Sequence, residues 1–327
     1  MALVRHPAEL RPKFHPNTKF LVAIGGWGDS KGFDTAARDE ESRDAWARNV
    51  ARMVDDLGAD GVDVDWEYPG GNGEDYKQIP NSQKTWEIPA YPLLLRALRT
   101  HLAAPKLLTA AVPGLERDML AFTPATLPDI LASLDFLNVM TYDLFNRRDT
   151  ATAHHTGLRA SRHALEAYIR RGAHPGRLNL GFAFYVRWAL TAPGVNCSVY
   201  DNNNNGIGCP TGLLEDPDTG TDLGRAGAFS YHDPVPAELR KSYGRALAQG
   251  RYDGDGFSYW DAQEGRFWSF DTPEAIRPKF DVLVRDMHLG GVFAWGLGED
   301  ADEFEHFKVV HKEVGMLCRE SEGKSEL

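Results

Sequence analysis

The run Asp60-Gly61-Val62-Asp63-Val64-Asp65-Trp66-Glu67-Tyr68-Pro69-Gly70 decides how the rest of the chain is read. In a strand, side chains alternate faces with period 2. Asp63, Asp65 and Glu67 therefore share one face, and Val62, Val64 and Trp66 share the other. In a barrel the acids point inward and the apolar set packs outward against helices. Carboxylates spaced ~6–7 Å apart in a partly dry interior repel one another, so some must hold protons at neutral pH. The last of them, nearest the C-terminal end of the strand, is a natural general acid, and catalytic groups of such barrels sit at that end. An exposed acidic edge would not place Val, Val and Trp so regularly on the opposite face. A divalent-metal site lacks a nearby histidine and an oxygen-rich loop of calcium spacing.

Around this strand, short β-rich runs alternate with helical stripes. Strands are expected at Lys19–Ile24, Gly61–Trp66, Leu107–Val112, Phe136–Met140, Leu178–Ala183 and Gly291–Trp295. Trp46, Val50, Met53, Val54 and Leu57 form one helical stripe, with Gly58 as its stop. Leu94, Leu95, Leu98 and Leu102 form the next. A third comprises Ala164, Leu165, Tyr168 and Ile169, and a fourth Ile276, Phe280, Leu283, Val284 and Met287. Pro278, inside the fourth, is expected to delay or kink its helix, and Gly290 to stop it. Such alternation means parallel strands with crossover helices. The spacing between successive strands suits single βα units except the last, which leaves room for an insertion. That stretch, with Asn202–Asn205 and many aromatics, is read as a small α+β subdomain, because structureless loops of that length are rare. The expected division is a barrel over residues 1–189 and 273–327 and an insertion over 190–272.

Composition sets the outer bounds. The chain has 327 residues, 36 Lys+Arg against 47 Asp+Glu, and a net charge of −11. That acid excess argues against nucleic acid or an anionic membrane as a partner. No run approaches the ~18 apolar residues of a membrane span. Hydrophobic content of 42% supports a packed core, and eight tryptophans within an aromatic share of 11% suit stacking surfaces or core packing alike. The start MALVRHPAELRPKF carries no apolar secretory segment. Cys197 and Cys209 can pair across a loop, leaving Cys318 over; the compartment decides it. The eleven histidines show no metal-ligand spacing, and His154-His155 is read as surface or helix-cap.

The pattern Asp60-x-x-Asp63-x-Asp65-x-Glu67 resembles the DxxDxDxE signature of glycoside hydrolase family 18, the chitinases. Ile24-Gly25-Gly26-Trp27 is similar to that family's SxGG strand, with Ala23 where Ser is usual. Met140-Thr141-Tyr142-Asp143 resembles its MxYD strand. Gly290-Gly291-Val292-Phe293-Ala294-Trp295 resembles its last strand, and Ser258-Tyr259-Trp260-Asp261 and Phe270-Asp271-Thr272-Pro273 the edge of the chitinase insertion domain. The resemblance runs from about residue 19 to 300.

It implies a TIM (β/α)8-type barrel that hydrolyses β-1,4-linked N-acetylglucosamine with retention. The substrate's own acetamido group is the nucleophile, an exception to the two-carboxylate rule. Glu67 would protonate the leaving oxygen from a carboxyl of raised pKa and then activate water. Asp65 would orient the acetamido N–H and stabilise the oxazolinium, and Asp63 would share a proton with it. Asp60, of opposite parity, would support the structure. Tyr142 would hold the acetamido oxygen for in-line attack. Asp143 and Met140 would line the same subsite and Trp295 would stack beneath the sugar. Tyr68, Trp27, Tyr185 and Arg187 are further substrate-binding candidates. No metal or cofactor is implied. The partner would be chitin or N-acetylglucosamine oligomers, and a monomer with an extracellular location is expected.

Six strands are counted where the family has eight, and too few residues precede Lys19 for a βα unit of ~30. Two N-terminal units and a signal peptide are therefore expected to be absent, which would leave an incomplete barrel with open sheet edges. An endo-β-N-acetylglucosaminidase and a non-hydrolysing chitin-binding lectin are the alternatives. Glu67 argues against the lectin, although truncation could leave a binder without turnover.

Overall fold

The computed structural model describes residues 6–200 and 205–325, so residues 202–204 of the asparagine run lie outside it. A short helix, α1 (Pro7–Leu10), precedes β1 (Leu21–Gly25), α2 (Lys31–Ala36) and α3 (Glu40–Asp56). Then come β2 (Gly61–Asp65), α4 (Glu87–His101), β3 (Leu107–Pro113), α5 (Leu127–Ser133), β4 (Phe136–Met140), α6 (Leu158–Arg170) and β5 (Leu178–Ala183). The insertion holds β6 (Tyr185–Leu190), β7 (Ala226–Ser230), α7 (Arg240–Gln249), β8 (Arg251–Tyr252), β9 (Phe257–Asp261) and β10 (Arg266–Phe270). The chain closes with α8 (Pro273–Lys279), β11 (Gly291–Trp295) and α9 (Glu305–Ser325).

The strand order of the first sheet is β1-β2-β3-β4-β5-β11, and that of the second is β7-β6-β10-β9-β8. Pairing is parallel where β1 meets β2, β2 meets β3 and β5 meets β11. It is antiparallel throughout the second sheet. All six strands of the parallel sheet fall where the alternation puts them, three of them to the residue. The first begins at Leu21 rather than Lys19, because the amide of Phe20 turns aside to the Asp60 carboxylate at 2.8 Å. The same carboxylate takes Arg11 at 2.9 Å, so Asp60 anchors structure.

The chain divides into two compact units, Met1–Val139 with Ala167–Leu178, and Met140–Glu166 with Asn179–Leu327. In the first, Val62 and Val64 are fully buried and Trp66 is nearly so. Trp66 stacks on Phe33 at 5.0 Å and meets Tyr91 edge-on at 5.8 Å. Tyr91 continues to Phe122 and Phe122 to Tyr168, whose hydroxyl donates to the carbonyl of Pro113. This row of rings is the outward packing that the parity of β2 requires, and it leaves the acids the other face.

In the second unit, α7 packs its Tyr243 and Ala246 on Val186, Phe229, Trp268 and Phe270 of the antiparallel sheet, and the Trp268 indole donates to Ser242. Cys197 and Cys209 are joined by a disulfide, with Cα atoms 5.3 Å apart, beside Trp260. Pro278 marks a change of helix: α8 ends at Lys279 and Phe280–Arg285 follows as a π-turn. Proline cannot donate to the helix ladder, and the wider turn absorbs the missing bond. Asp286 follows as the cap of that turn, and His288 already has φ 56°, so the helix stops before Gly290.

Candidate active site

In the first unit β2 carries the acids. Asp63 lies opposite Thr109 in the β2–β3 register, and the Thr109 hydroxyl donates to Asp63 Oδ1. Asn138 of β4 donates to the same oxygen at 3.2 Å. Both donors hold the charged form of Asp63, while burial pushes the carboxyl up from its ordinary value. Asp65 is only 8% exposed, and its Oδ1 has no hydrogen-bond partner. Burial, then the Asp63 charge, pushes it up to about 7. Two neighbouring acids, both raised by burial, titrate as a pair, and the two donors on Asp63 favour its charged form.

Glu67 follows at the strand end. Its backbone is pinned from two sides by one hydroxyl: Ser30 Oγ donates to the Glu67 carbonyl at 3.2 Å and accepts from its amide at 3.3 Å. The peptide bond from Glu67 to Tyr68 is cis. The Tyr68 ring lies 6.3 Å from that of Trp27, which is 47% exposed after the Gly25-Gly26 turn. Both glycines have positive φ, and a Cβ on Gly25 would strike the Asp65 carbonyl at 2.1 Å. The glycine pair thus lets β1 end against the acid strand.

In the second unit a different cluster forms. Tyr142 and Met140 are buried at the end of β4, and the Tyr142 ring meets Tyr185 at 6.2 Å and Phe293 at 5.9 Å. Tyr185 donates to Asp143 Oδ1 at 2.7 Å, and Arg187 binds the same oxygen. Burial alone would raise the Asp143 carboxyl, but the Arg187 guanidinium, with His155, holds it well below the usual carboxylate range. Burial keeps the Tyr185 phenol protonated and so able to donate. Trp295, at the end of β11, is 54% exposed. Its indole donates to Glu299, whose carboxyl is raised by burial and by the charges of Asp233 and Asp143.

Each predicted residue thus has a defined place. Glu67, Asp65, Asp63, Tyr68 and Trp27 belong to the first unit, and Tyr142, Asp143, Met140, Tyr185, Arg187 and Trp295 to the second. The reading of His154-His155 as surface residues fails. His154 bonds Asp253 at 3.0 Å, and fully buried His155 stands 3.8 Å from Asp143 and 5.4 Å from the Tyr185 ring. Burial lowers the His155 imidazole, against the pull of Asp143. Thr109, Asn138, Ser30 and Glu299 were also missed. Thr109 and Asn138 carry no local signal, because only strand pairing in the folded chain brings them to Asp63. Among the described residues no group of three or more His, Cys, Asp or Glu side chains is arranged to hold a metal.

The parallel βα units, six among the described residues, with an α+β subdomain inserted before the last strand, define the class: a TIM-type barrel fold with six of the eight units. The model of glycosyl hydrolases family 18 matches residues 3–300, and the chain belongs to that family. It is 29% identical over 311 residues to chitinase C of Streptomyces lividans, covering 89% of this chain and 44% of that protein. It is 27% identical over 309 residues to endochitinase 1 of Metarhizium anisopliae, covering 89% of this chain and 64% of that protein. The chain therefore spans about half the length of these relatives. Among solved structures, a chitinase from Rhizomucor miehei shares the fold with a TM-score of 0.72 at 21% identity, covering 93% of this chain and 87% of that one. A family 18 N-acetylglucosaminidase from Paenibacillus barengoltzii does so with a TM-score of 0.66 at 24% identity, covering 94% and 85%.

Proposed function

We propose that the chain hydrolyses β-1,4 bonds in chitin and N-acetylglucosamine oligomers by a retaining, substrate-assisted mechanism. The observation that carries this is the β2 pair: Asp63 supplied with two donors, and Asp65 buried, without a partner on Oδ1 and close to neutral titration. A protonated Asp65 can turn toward an acetamido N–H and, on returning its proton to Asp63, set a negative charge against the oxazolinium cation. Glu67 gives its proton to the leaving oxygen, the acetamido oxygen closes on the anomeric carbon, and Glu67 then takes a proton from the attacking water. In this reading Tyr142 holds the acetamido oxygen, Asp143 and Met140 line the same subsite, and Trp295 stacks on the sugar face. Tyr68, Trp27, Tyr185 and Arg187 are proposed substrate contacts. The reaction needs no cofactor.

The same reading makes the polymer the partner of a monomeric, secreted enzyme, with no role for nucleic acid or membrane. No helix of the described residues is long and apolar enough to cross a membrane, and a disulfide suits an oxidising compartment. The test is release of a chromophore from an N-acetylglucosamine oligomer by the chain and by Glu67→Gln. A loss of about 10²-fold or more is expected; equal rates would refute the mechanism. Chitin binding without turnover in both would favour a lectin, and release from an N-glycan core but not from the oligomer an endo-β-N-acetylglucosaminidase.

A further inference from the structure

One buried acid has no part in the chemistry above. Glu87, the first residue of α4, is 1% exposed. The amide of Gly70 donates to its Oε2 at 2.8 Å. Gly70 lies three residues beyond Glu67, with φ +95°, and a Cβ there would meet Ile88 at 2.9 Å. The turn that leaves Glu67 is held from several sides, three of them bearing on its backbone from side chains. Ser30 grips the Glu67 backbone, Glu87 grips Gly70, and Asn81 accepts from the Asn72 amide at 3.0 Å. Only one of the three clamps can change charge.

Its surroundings make that change consequential. The Glu87 carboxyl faces the Asp34 side chain of α2 within hydrogen-bonding reach, and Lys84, in the turn before α4, supplies a positive charge that acts on it. Lys84 is already committed to Asp75, at 2.7 and 2.8 Å. Burial disfavours the charged form of Glu87, and the Asp34 carboxylate beside it does so further. With Glu87 protonated, one of its oxygens donates to Asp34 and the other accepts from Gly70. With Glu87 ionised, two carboxylates face each other with little to separate their charges.

We propose that Glu87 is a positioning residue for Glu67: by accepting from the Gly70 amide it fixes the turn and so sets where the catalytic carboxyl is aimed. This rests on the reading of Glu67 as the acid, yet its test does not need turnover. Burial, against the Gly70 bond, pushes the Glu87 carboxyl up to about 7, so Glu87 titrates where it can be followed. The amide resonances of Gly70 and Glu67 are recorded by ¹⁵N NMR on the full chain across neutral pH. In the wild type both are expected to move with a common midpoint. Glu87→Gln keeps the acceptor for Gly70 and should abolish that shared component. Asp34→Asn should move both midpoints down together, a displacement that the Asp63–Asp65 titration, which lacks Asp34 among its causes, does not predict. If Glu87→Gln fails to fold, Asp34→Asn alone decides. In activity, kcat at pH 8 should be about tenfold higher in Glu87→Gln than in the wild type, with KM unchanged. A Glu67 amide that keeps its wild-type titration in both variants overturns the proposal, whatever Glu67→Gln does to turnover.

Discussion

The proposed chemistry turns on where one proton sits. Asp65 is raised to about 7 in the folded chain, whereas an exposed aspartate titrates near its ordinary 3.8. Below the lower value both folded and unfolded states are protonated and nothing is gained or lost. Between the two, the unfolded chain releases the proton and the folded chain keeps it, so stability falls as pH rises, and it levels off above the folded value. Asp65→Asn removes this cost. The variant is expected to be more stable than the wild type at pH 7.5, at about 1.4 kcal/mol per pKa unit removed, and the advantage should vanish near pH 4. Urea unfolding at the two pH values measures it; an advantage independent of pH would mean that the carboxyl is not strained by burial. Which of the two acids the donors favour in its charged form was not legible in β2 alone. The donors to Asp63 come from β3 and β4, and the alternation of β2 does not say which of its acids they reach.

At the scale of elements, β2 works because its two faces have opposite duties. The acid face can stay partly dry because Val62, Val64 and Trp66 seal the other, and the Trp66–Phe33 stack extends that seal to α2. Trp66→Ala should therefore destabilise the chain by about 3–5 kcal/mol, read as a fall in the melting temperature, without touching a residue assigned to substrate. A change under 1 kcal/mol would mean that Trp66 packs loosely. Strands and helix stripes were legible here because each is a local period: two residues for β2, 3.6 for α3 and α4. The partners of those stripes were not. Nothing local to Tyr91 announces that its ring would link Trp66 to Phe122.

Across the whole molecule, the same contrast separates the sheets. The parallel strands follow a repeating βα pattern, and all six were found from it. In the insertion, β6 pairs with β10 across a long stretch of chain, and its core of Val186, Phe229, Trp268 and Phe270 is assembled from distant segments. The Cys197–Cys209 disulfide closes a loop in that region across a sequence separation of 12. Replacing both cysteines with alanine should cost up to about 3 kcal/mol, the loop-closure value for a short crosslink. Thermal melting of the double variant beside the wild type measures this, and an unchanged melt would make the bridge incidental. By itself the sequence determined the parallel sheet, the acids on one face of β2, and the family, because these depend on local periodicity and on residue types at fixed spacing. The tertiary structure alone decided that Thr109 and Asn138 donate to Asp63 and that Asp65 Oδ1 is buried without a partner. It also decided that His155 is buried beside Asp143, and that Glu87 holds the turn behind Glu67. Burial and electrostatic contact depend on distance in space, and residues far apart in the chain carry no local mark of meeting.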